Sequence, residues 1–225
     1  MGGGIPAGQA PGSLIGQSDD LGYVTAFVDQ AAVHGGALLL SGEAGVGKTA
    51  LLDAAAAHAV AAGHRVLRAA GAEFEREVSF AGLNQLLRPL LDQARELSAP
   101  YRRALDVALG VREGSSPDRL LLSNAALALL AQATQTGPVL AVVDDLPWLD
   151  RASAVVLGVV ARRLPGSRVG FLAVARSGED GFFDRGGLPV HEVLPLGRAA
   201  AAEPPRPSWL ATAFPRWRRG SVSGC

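Results

Sequence analysis

The chain has 225 residues, of which 48% are hydrophobic, and its 21 basic residues balance 21 acidic ones. This length allows one α/β domain with a sizeable core, and the balanced charge argues against a nucleic-acid-binding surface. The only cysteine is Cys225, which argues against an intramolecular disulfide and a cysteine metal cluster.

The N-terminal segment and the apolar runs bear on location. Residues 1–13 are rich in glycine and proline and are expected to be disordered. They lack the basic start and the hydrophobic core of a secretion signal. No apolar run approaches the roughly 18 residues of a membrane helix, and Ala154–Ala161 is among the longest. We therefore expect a cytoplasmic protein with no membrane partner.

Apolar runs and helical spacing predict strands that alternate with helices along the chain. A short turn and a helix are expected within Leu14–Val33, and leucines at helical spacing predict a helix over Phe80–Leu97. Strands separated by helices favour a parallel sheet with right-handed crossovers. The predicted strands are Ala37–Ser41, Arg65–Ala69, Val139–Val143, Val169–Ala175 and Val190–Leu194, and the other predicted helices are Thr49–Ala62, Pro117–Ala133 and Ser153–Leu164.

A glycine-rich loop follows the first predicted strand. The sequence SGEAGVGKTALL matches G-x-x-x-x-G-K-[ST] from Gly42 to Thr49. Glycines let consecutive N–H groups turn toward phosphate oxygens, and the helix that begins near Lys48 adds its positive dipole end. Lys48 is expected to reach the β- and γ-phosphates of ATP, and the Thr49 hydroxyl to ligate Mg²⁺. The predicted nucleotide-binding residues of the loop are Gly42, Glu43, Ala44, Gly45, Val46, Gly47, Lys48, Thr49 and Ala50.

A chance glycine turn between a strand and a helix is the competing interpretation of this loop. Strand, glycines and helix follow one another in the order that the motif requires, which makes that interpretation the weaker one. The predicted fold is therefore an α/β P-loop NTPase, with a parallel sheet of about five strands flanked by helices.

A second motif, VLAVVDDLPWLD, closes the third predicted strand. An apolar strand that ends in acids places carboxylates at the carboxyl edge of the sheet, where open α/β sheets bind ligands. Asp144 is predicted to hold Mg²⁺ through water, and Asp145 to orient or deprotonate the attacking water. The alternative is a surface turn with two aspartates, which are common turn residues. The phosphate-binding loop upstream favours the metal and catalytic roles.

Arg176 follows the fourth predicted strand at the same edge. It could sense the γ-phosphate or stabilise developing charge, and an ordinary solvated arginine is an equally good interpretation.

The remaining polar residues receive structural interpretations. The four histidines have no metal-ligand spacing, the acidic segment 73–77 is expected to be solvated, and Trp148 is expected to anchor its turn by packing.

These segments resemble the ATPase domain of the large LuxR-type transcriptional regulators, within the AAA-like and STAND branches of the P-loop NTPases. The resemblance covers roughly Leu14–Leu196. LIGQSDDL is similar to the family's N-terminal motif, which lies against the adenine and implies base contacts by Ile15 and Gly16. SGEAGVGKTALL and VVDDLPWLDRASAVVLGVVARRL resemble the two nucleotide motifs, and FLAVARSGED resembles the sensor strand, which supports Arg176. EREVSFAGLNQLLRPLL and SPDRLLLSNAALALLAQA resemble segments particular to this group.

The chain departs from the family pattern at two places. Gln17 stands where the N-terminal motif usually has arginine, which implies a changed affinity for the base. Family members continue after HEVLPLG with a helical lid and a C-terminal helix-turn-helix, whereas residues 198–225 show neither pattern. The expected organisation is a disordered segment 1–13, an ATPase core 14–197 and a disordered, non-family tail 198–225 of a truncated or frame-shifted product. A basic tail that binds an acidic partner is the less favoured alternative.

The resemblance implies an ATP-binding switch module that hydrolyses ATP slowly at best, because a lid normally closes the site to water. ATP or ADP and Mg²⁺ are the expected ligands. We expect no direct DNA binding by this chain, and an uncovered lid-facing surface would favour self-association or a protein partner. A nucleotide-binding or interaction remnant without useful turnover is the alternative, and a P-loop small-molecule kinase is a weaker one.

Overall fold

Five parallel strands form the centre of the structure, a computed structural model that describes residues 18–176 and 187–195. The strands pair in the order β2-β3-β4-β1-β5, and every pair is parallel. This arrangement confirms the predicted α/β class with its parallel sheet. The predicted terminal segments, 1–13 and 198–225, lie outside the described residues. The strands are β1 (Gly36–Ser41), β2 (Arg65–Ala70), β3 (Val139–Asp144), β4 (Val169–Val174) and β5 (Val190–Glu192).

Helices cover both faces of the sheet. Two of them, α1 and α2, pack on one face, and the helices from α3 to α6 pack on the other. In the ranges that the structure describes, no helix has the length and apolar character needed to cross a bilayer. The helices are α1 (Ser18–His34), α2 (Lys48–Ala61), α3 (Ala81–Leu87), α4 (Ala99–Ala108), α5 (Arg119–Ala133) and α6 (Arg151–Ala161).

Side-chain alternation along the strands divides the core into two clusters. Leu38 and Leu40 of β1 pack with α1 and α2, whereas Leu39 packs in the cluster on the opposite face. The strand β3 follows the same rule, with Val142 in the first cluster and Val143 in the second. Both strands are buried on two faces, which explains why each reads as a wholly apolar run.

The structure corrects the helix predicted over Phe80–Leu97. The helix α3 ends at Leu87, and two 3₁₀ turns replace the rest of it. Pro89 has no N–H and its ring clashes with the preceding turn, so a regular α-helix does not continue through it. The helical spacing still reports burial, since four leucines of this segment are fully buried and Leu91 is partly buried. The fully buried ones are Leu83, Leu86, Leu87 and Leu90.

A further helix, α4, was not predicted. It follows Ser98 and has Pro100 in its first turn, where a proline fits because its missing N–H would have no helical acceptor. Its buried side chains are only Ala104, Leu105 and Ala108. Its buried residues lie on one face, but charged residues interrupt its sequence, so no apolar run marks this helix.

Candidate functional site

The loop between β1 and α2 has a backbone shape that depends on glycine. Gly45 has a φ of +77° and Gly47 a φ of +102°, a region that side chains with a Cβ rarely adopt. Gly47 is the N-cap of α2 and makes no side-chain capping bond. The first N–H groups of α2 therefore have no intrahelical acceptor and no capping side chain. A helix start of this kind is suited to an anion.

Lys48 is the first residue of α2 and is only 7% exposed. Its Nζ donates hydrogen bonds to the carbonyl oxygen of Gly42 at 2.8 Å and to that of Glu43 at 2.7 Å. These bonds fold the side chain back over the loop. Two neutral carbonyls are weak partners for a buried ammonium, so a phosphate in the loop would provide a stronger, charge-assisted one.

The other predicted nucleotide-binding residues surround Lys48 or lie outside the described residues. Thr49 is exposed in the first turn of α2, which leaves its hydroxyl accessible to a metal ion. Ile15 and Gly16, predicted to contact the base, lie outside the described residues. The remaining loop residues are exposed or partly buried, and they are Glu43, Ala44, Val46 and Ala50.

The two predicted aspartates stand at the carboxyl end of β3. Asp144 is the last residue of the strand, and its Oδ1 accepts a hydrogen bond from the Asp145 N–H at 2.9 Å. Asp145 has a φ of +50° and a ψ of +52°, a left-handed conformation that is uncommon outside glycine. The strand β4 separates β3 from β1, and neighbouring strands lie about 4.8 Å apart. The ends of β1 and β3 are thus about 10 Å apart, which leaves room for a phosphate and a cation.

Arg176 follows β4, the strand between β1 and β3. Burial lowers the pKa of Lys48, and the charge of Arg176 lowers it further. Asp144 and Asp145 act on the pKa of Lys48 in the opposite direction and raise it. The structure therefore brings the four predicted charged side chains close enough to interact, at the carboxyl edge of three adjacent strands.

A metal ion at this edge would need ligands from more than the protein. The described residues contain no group of three or more His, Cys, Asp or Glu side chains that could hold a metal. Mg²⁺ commonly keeps several waters and binds through one or two protein groups and the phosphates of its substrate. Thr49, exposed beside the uncapped helix start, and Asp144, at the end of β3, fit that pattern.

His191 has a structural environment that the sequence did not reveal. Its Nε2 hydrogen-bonds to the Asp20 Oδ1 at 2.6 Å, and its ring stacks on Tyr23 with centroids 4.2 Å apart. Burial raises the pKa of Tyr23. These contacts attach α1 to the edge strand β5. The end of β5 also lies beside the glycine loop. A Cβ on Gly42 would be only 2.6 Å from the carbonyl oxygen of Val193, which directly follows β5. A lone histidine gives no sequence signal for such a role.

Asp150 is the second polar residue that sequence reasoning missed. It is 3% exposed and caps α6, because its side chain accepts a hydrogen bond from the Ser153 N–H at 2.9 Å. The signal that could have found it is the placement of an aspartate directly before a helix. The same cap explains why α6 begins at Arg151, earlier than the predicted Ser153.

Comparison with known families agrees with this geometry. A family model described as an AAA ATPase domain matches residues 13–173, which is more than half of the chain. The chain belongs to the AAA ATPase domain family. None of the curated proteins matches it.

Several solved structures resemble this AAA ATPase domain at low identity. The Aeropyrum pernix ORC2 protein, in ADPNP–ADP complexes, is 15% identical over 83% of this chain and 50% of its own, with a TM-score of 0.47. C. elegans PCH-2 is 18% identical over 78% of this chain and 41% of its own, with a TM-score of 0.42. Drosophila ORC bound to DNA is 16% identical over 79% of this chain and 42% of its own, with a TM-score of 0.49. This chain spans half or less of the length of each of them.

Proposed function

We propose that this AAA ATPase domain binds ATP with Mg²⁺, hydrolyses it slowly, and acts as the switch module of a LuxR-type transcriptional regulator. The observation that carries the proposal is the uncapped start of α2 beside the buried Lys48 ammonium. Charges act on that ammonium from Asp144 and Asp145 at the end of β3 and from Arg176 after β4. A polyphosphate that carries a divalent cation matches this distribution of charge.

Each side chain has a distinct role in the proposal. Lys48 leaves the loop carbonyls to bind the β- and γ-phosphates. Thr49 and Asp144 hold Mg²⁺, which supplies positive charge to the phosphate oxygens. Asp145 orients the attacking water or accepts its proton. Arg176 stabilises negative charge on the γ-phosphate.

The exposure of the site supports slow turnover. In the part of the chain that the structure describes, Gly45, Thr49 and Arg176 are exposed, so water reaches the place where the phosphates bind. Phosphoryl transfer depends on positioning and on electrostatics in a site from which water is excluded. We therefore expect turnover well below about 1 s⁻¹, the low end for typical enzymes.

The assignment to a LuxR-type regulator rests on sequence segments outside the nucleotide motifs. EREVSFAGLNQLLRPLL includes α3, and SPDRLLLSNAALALLAQA includes α5, so both segments form helices on the same face of the sheet. In such a regulator, a cytoplasmic protein, the nucleotide state controls a DNA-binding domain. ATP or ADP and the domains of the regulator are the proposed partners. We expect no sequence-specific DNA binding by residues 1–225.

A module that binds nucleotide without useful turnover is a second candidate. The exposure that supports slow hydrolysis also favours this function. Steady-state turnover separates the two candidates. A switch that uses hydrolysis converts ATP to ADP at a measurable rate, whereas a module that only binds nucleotide does not. Turnover above about 1 s⁻¹ that Lys48→Ala abolishes would contradict both candidates and indicate a complete ATPase.

The test of nucleotide binding is the substitution Lys48→Ala. It should reduce ATP affinity at least tenfold, equivalent to about 1.4 kcal/mol, because a desolvated phosphate charge loses its partner. Titration with a fluorescent ATP analogue measures the effect. Arg119→Ala is the control, since it removes one positive charge at the exposed start of α5. Equal titration curves for Lys48→Ala and the parent chain would remove the phosphate-binding assignment.

A chemical experiment sharpens this test, because Lys48 is the only lysine in the chain. An amine-reactive reagent therefore modifies Lys48 and the N-terminal amine and no other amine. Mg²⁺-ATP should protect Lys48 from acylation, and AMP, which lacks the β- and γ-phosphates, should protect it far less. Peptide mass spectrometry measures both sites in one sample, with the N-terminal amine as the internal control. Equal protection by ATP and AMP would contradict the role of Lys48.

A further inference from the structure

Asp150 is a buried carboxylate with three backbone donors. Its Oδ1 accepts hydrogen bonds from the N–H groups of Phe80 and Ser153, each at 2.9 Å. Its Oδ2 accepts a hydrogen bond from the Gly82 N–H at 3.0 Å. A charge that is buried to this extent is tolerated only where hydrogen-bond donors replace water. The three donors replace the water that the carboxylate loses on burial.

The donors belong to the starts of two helices. Ser153 lies in the first turn of α6, and Gly82 lies in the first turn of α3. The Ser153 Oγ also accepts a hydrogen bond from the Leu83 N–H at 2.8 Å. Asp150 and Ser153 thus join α6 to residues 71–83, the segment that leads from β2 into α3, which we call the connector.

The connector also contacts the turn that carries Asp145. A Cβ on Gly71 would lie 2.3 Å from the Asp145 carbonyl oxygen, so the two backbones are in close contact. The guanidinium of Arg76 lies over the Trp148 ring, 5.7 Å from its centroid. The turn is therefore held at both of its ends, by Gly71 where it begins and by Asp150 where it finishes.

The conformation of Asp145 explains why such support is needed. Its left-handed backbone is uncommon for residues with a Cβ, and although aspartate adopts it more readily than most, contacts with the surroundings help to keep it. In this structure, the contacts of Gly71 and Arg76 with the turn are the ones that can hold the Asp145 backbone in place. If they loosened, the turn could relax toward the right-handed region, and the Asp145 carboxylate would change position.

We propose that Asp150 is a positioning residue that fixes the Asp145 carboxylate by joining its turn to the connector. The effect on catalysis rests on the proposed function, in which Asp145 acts on water. The competing explanation is that Asp150 merely caps α6. Asp118 provides a matched case, because it caps α5 through one hydrogen bond, from the Leu121 N–H at 2.9 Å, and is exposed.

The variant Asp150→Asn separates the two roles. Its amide oxygen can keep the hydrogen bonds from Phe80 and Ser153, and asparagine is a good N-cap. Its amide nitrogen then faces the Gly82 N–H, and it cannot accept a hydrogen bond. The cap of α6 and the hydrogen bond from Phe80 are preserved, while the hydrogen bond from Gly82 is replaced by an unfavourable contact between two donors. Asp118→Asn is the control, since one oxygen is all that its cap requires.

Hydrogen exchange in the full chain tests the proposal without depending on turnover. In Asp150→Asn, amides of residues 80–83 and of residues 144–149 should both exchange at least tenfold faster than in the parent. Asp118→Asn should leave both segments unchanged. We expect Mg²⁺-ATP affinity within twofold of the parent, and single-turnover hydrolysis at least tenfold slower, in Asp150→Asn alone.

Two results would overturn the proposal. One is faster exchange at residues 80–83 with residues 144–149 as in the parent, and the other is hydrolysis by Asp150→Asn at the parent rate. If Asp150→Asn does not fold, Ser153→Ala removes the acceptor of the Leu83 N–H and is judged by the same two segments. Absence of ATP binding by the parent would contradict the proposed function, and the exchange result would still decide whether Asp150 holds the turn.

Discussion

Two helices begin at the carboxyl edge of the sheet, and their starts differ. The helix α2 follows the glycine loop, and its N-cap, Gly47, contributes no side chain to the free N–H groups. The helix α6 follows the Asp145 turn, and its N-cap, Asp150, accepts three hydrogen bonds. Both starts have the same unsatisfied donors by geometry. A start without a cap is suited to a ligand, whereas a start with a buried cap is a joint between parts of the protein.

The two starts also differ in how well their buried charges are balanced. Lys48 is paired with two carbonyl oxygens, and burial lowers its pKa, so its charge is disfavoured in the folded protein. Asp150 is surrounded by three N–H donors and lies at the dipole ends of α3 and α6. We infer that the first charge requires a ligand for its full stabilisation, while the second requires only the fold.

The largest expected effect follows from the capped start. Asp150→Ala should lower the free energy of unfolding by about 3 kcal/mol or more, because three buried N–H groups lose their acceptor at about 1–3 kcal/mol each. Asp118→Ala should lower it by about 1 kcal/mol, the usual effect of losing an exposed cap. Denaturation in urea measures both. Equal losses for the two variants would break the comparison, since Asp150 would then be an ordinary cap.

Sequence reasoning recovered the features that depend on residues near one another in the chain. The strands β1, β3 and β4 are continuous apolar runs because they are buried on both faces. The glycine loop is a local motif, and its spacing follows from the shape of the backbone around an anion. Asp144 and Arg176 were selected because each directly follows a predicted strand, and the parallel order of the sheet brings them together.

Features that depend on distant residues were not recovered. Two of the three hydrogen bonds of Asp150 join positions 68 and 70 residues apart, and the bond from His191 reaches Asp20, 171 residues away. No periodic pattern records such pairs. The broken helix at Pro89 is a different case, because the proline was visible and its effect on helix geometry was outweighed by the leucine spacing. Long-range polar contacts can be identified only once the fold is known, whereas the end of a helix at a proline can be predicted from the sequence alone.

The second prediction concerns residues on the ligand side of the Asp145 turn. Asp144→Asn should weaken Mg²⁺-dependent ATP binding about tenfold, because a neutral amide is a poorer partner for a hard cation. Asp145→Asn should leave binding nearly intact and reduce turnover, since only the action on water is lost. Titrations with and without Mg²⁺, together with single-turnover hydrolysis, measure the two effects.

Stability measurements on the same variants test the division between the ligand and the fold. The Asn at position 144 keeps an oxygen for the Asp145 N–H, so Asp144→Asn should unfold at the parent's urea concentration. Asp145→Asn should also be as stable as the parent, because asparagine tolerates the left-handed region. Equal loss of binding in both variants, with no selective effect on turnover, would contradict the separate roles of Asp144 and Asp145.

The smallest expected effect comes from His64, a partly buried base at the start of β2. Burial lowers its pKa, with smaller lowering effects from His58 and Arg168, and Asp29 acts in the opposite direction. The folded protein therefore binds a proton at His64 less readily than the unfolded chain, whose histidines titrate near pH 6.5. As the pH falls below about 6.5, the unfolded state gains protons first, and the free energy of unfolding decreases.

His64→Gln should remove this part of the acid sensitivity. The variant should match the parent at pH 8, where both side chains are neutral, to within about 0.5 kcal/mol. Between pH 8 and pH 5 it should lose less stability than the parent, because glutamine does not titrate. Urea denaturation at the two pH values measures the difference. A variant that loses more stability than the parent on acidification would mean that protonated His64 has a favourable partner in the fold. Its charge would then be stabilised by the protein alone, as that of Asp150 is, and burial would not be the dominant influence on it.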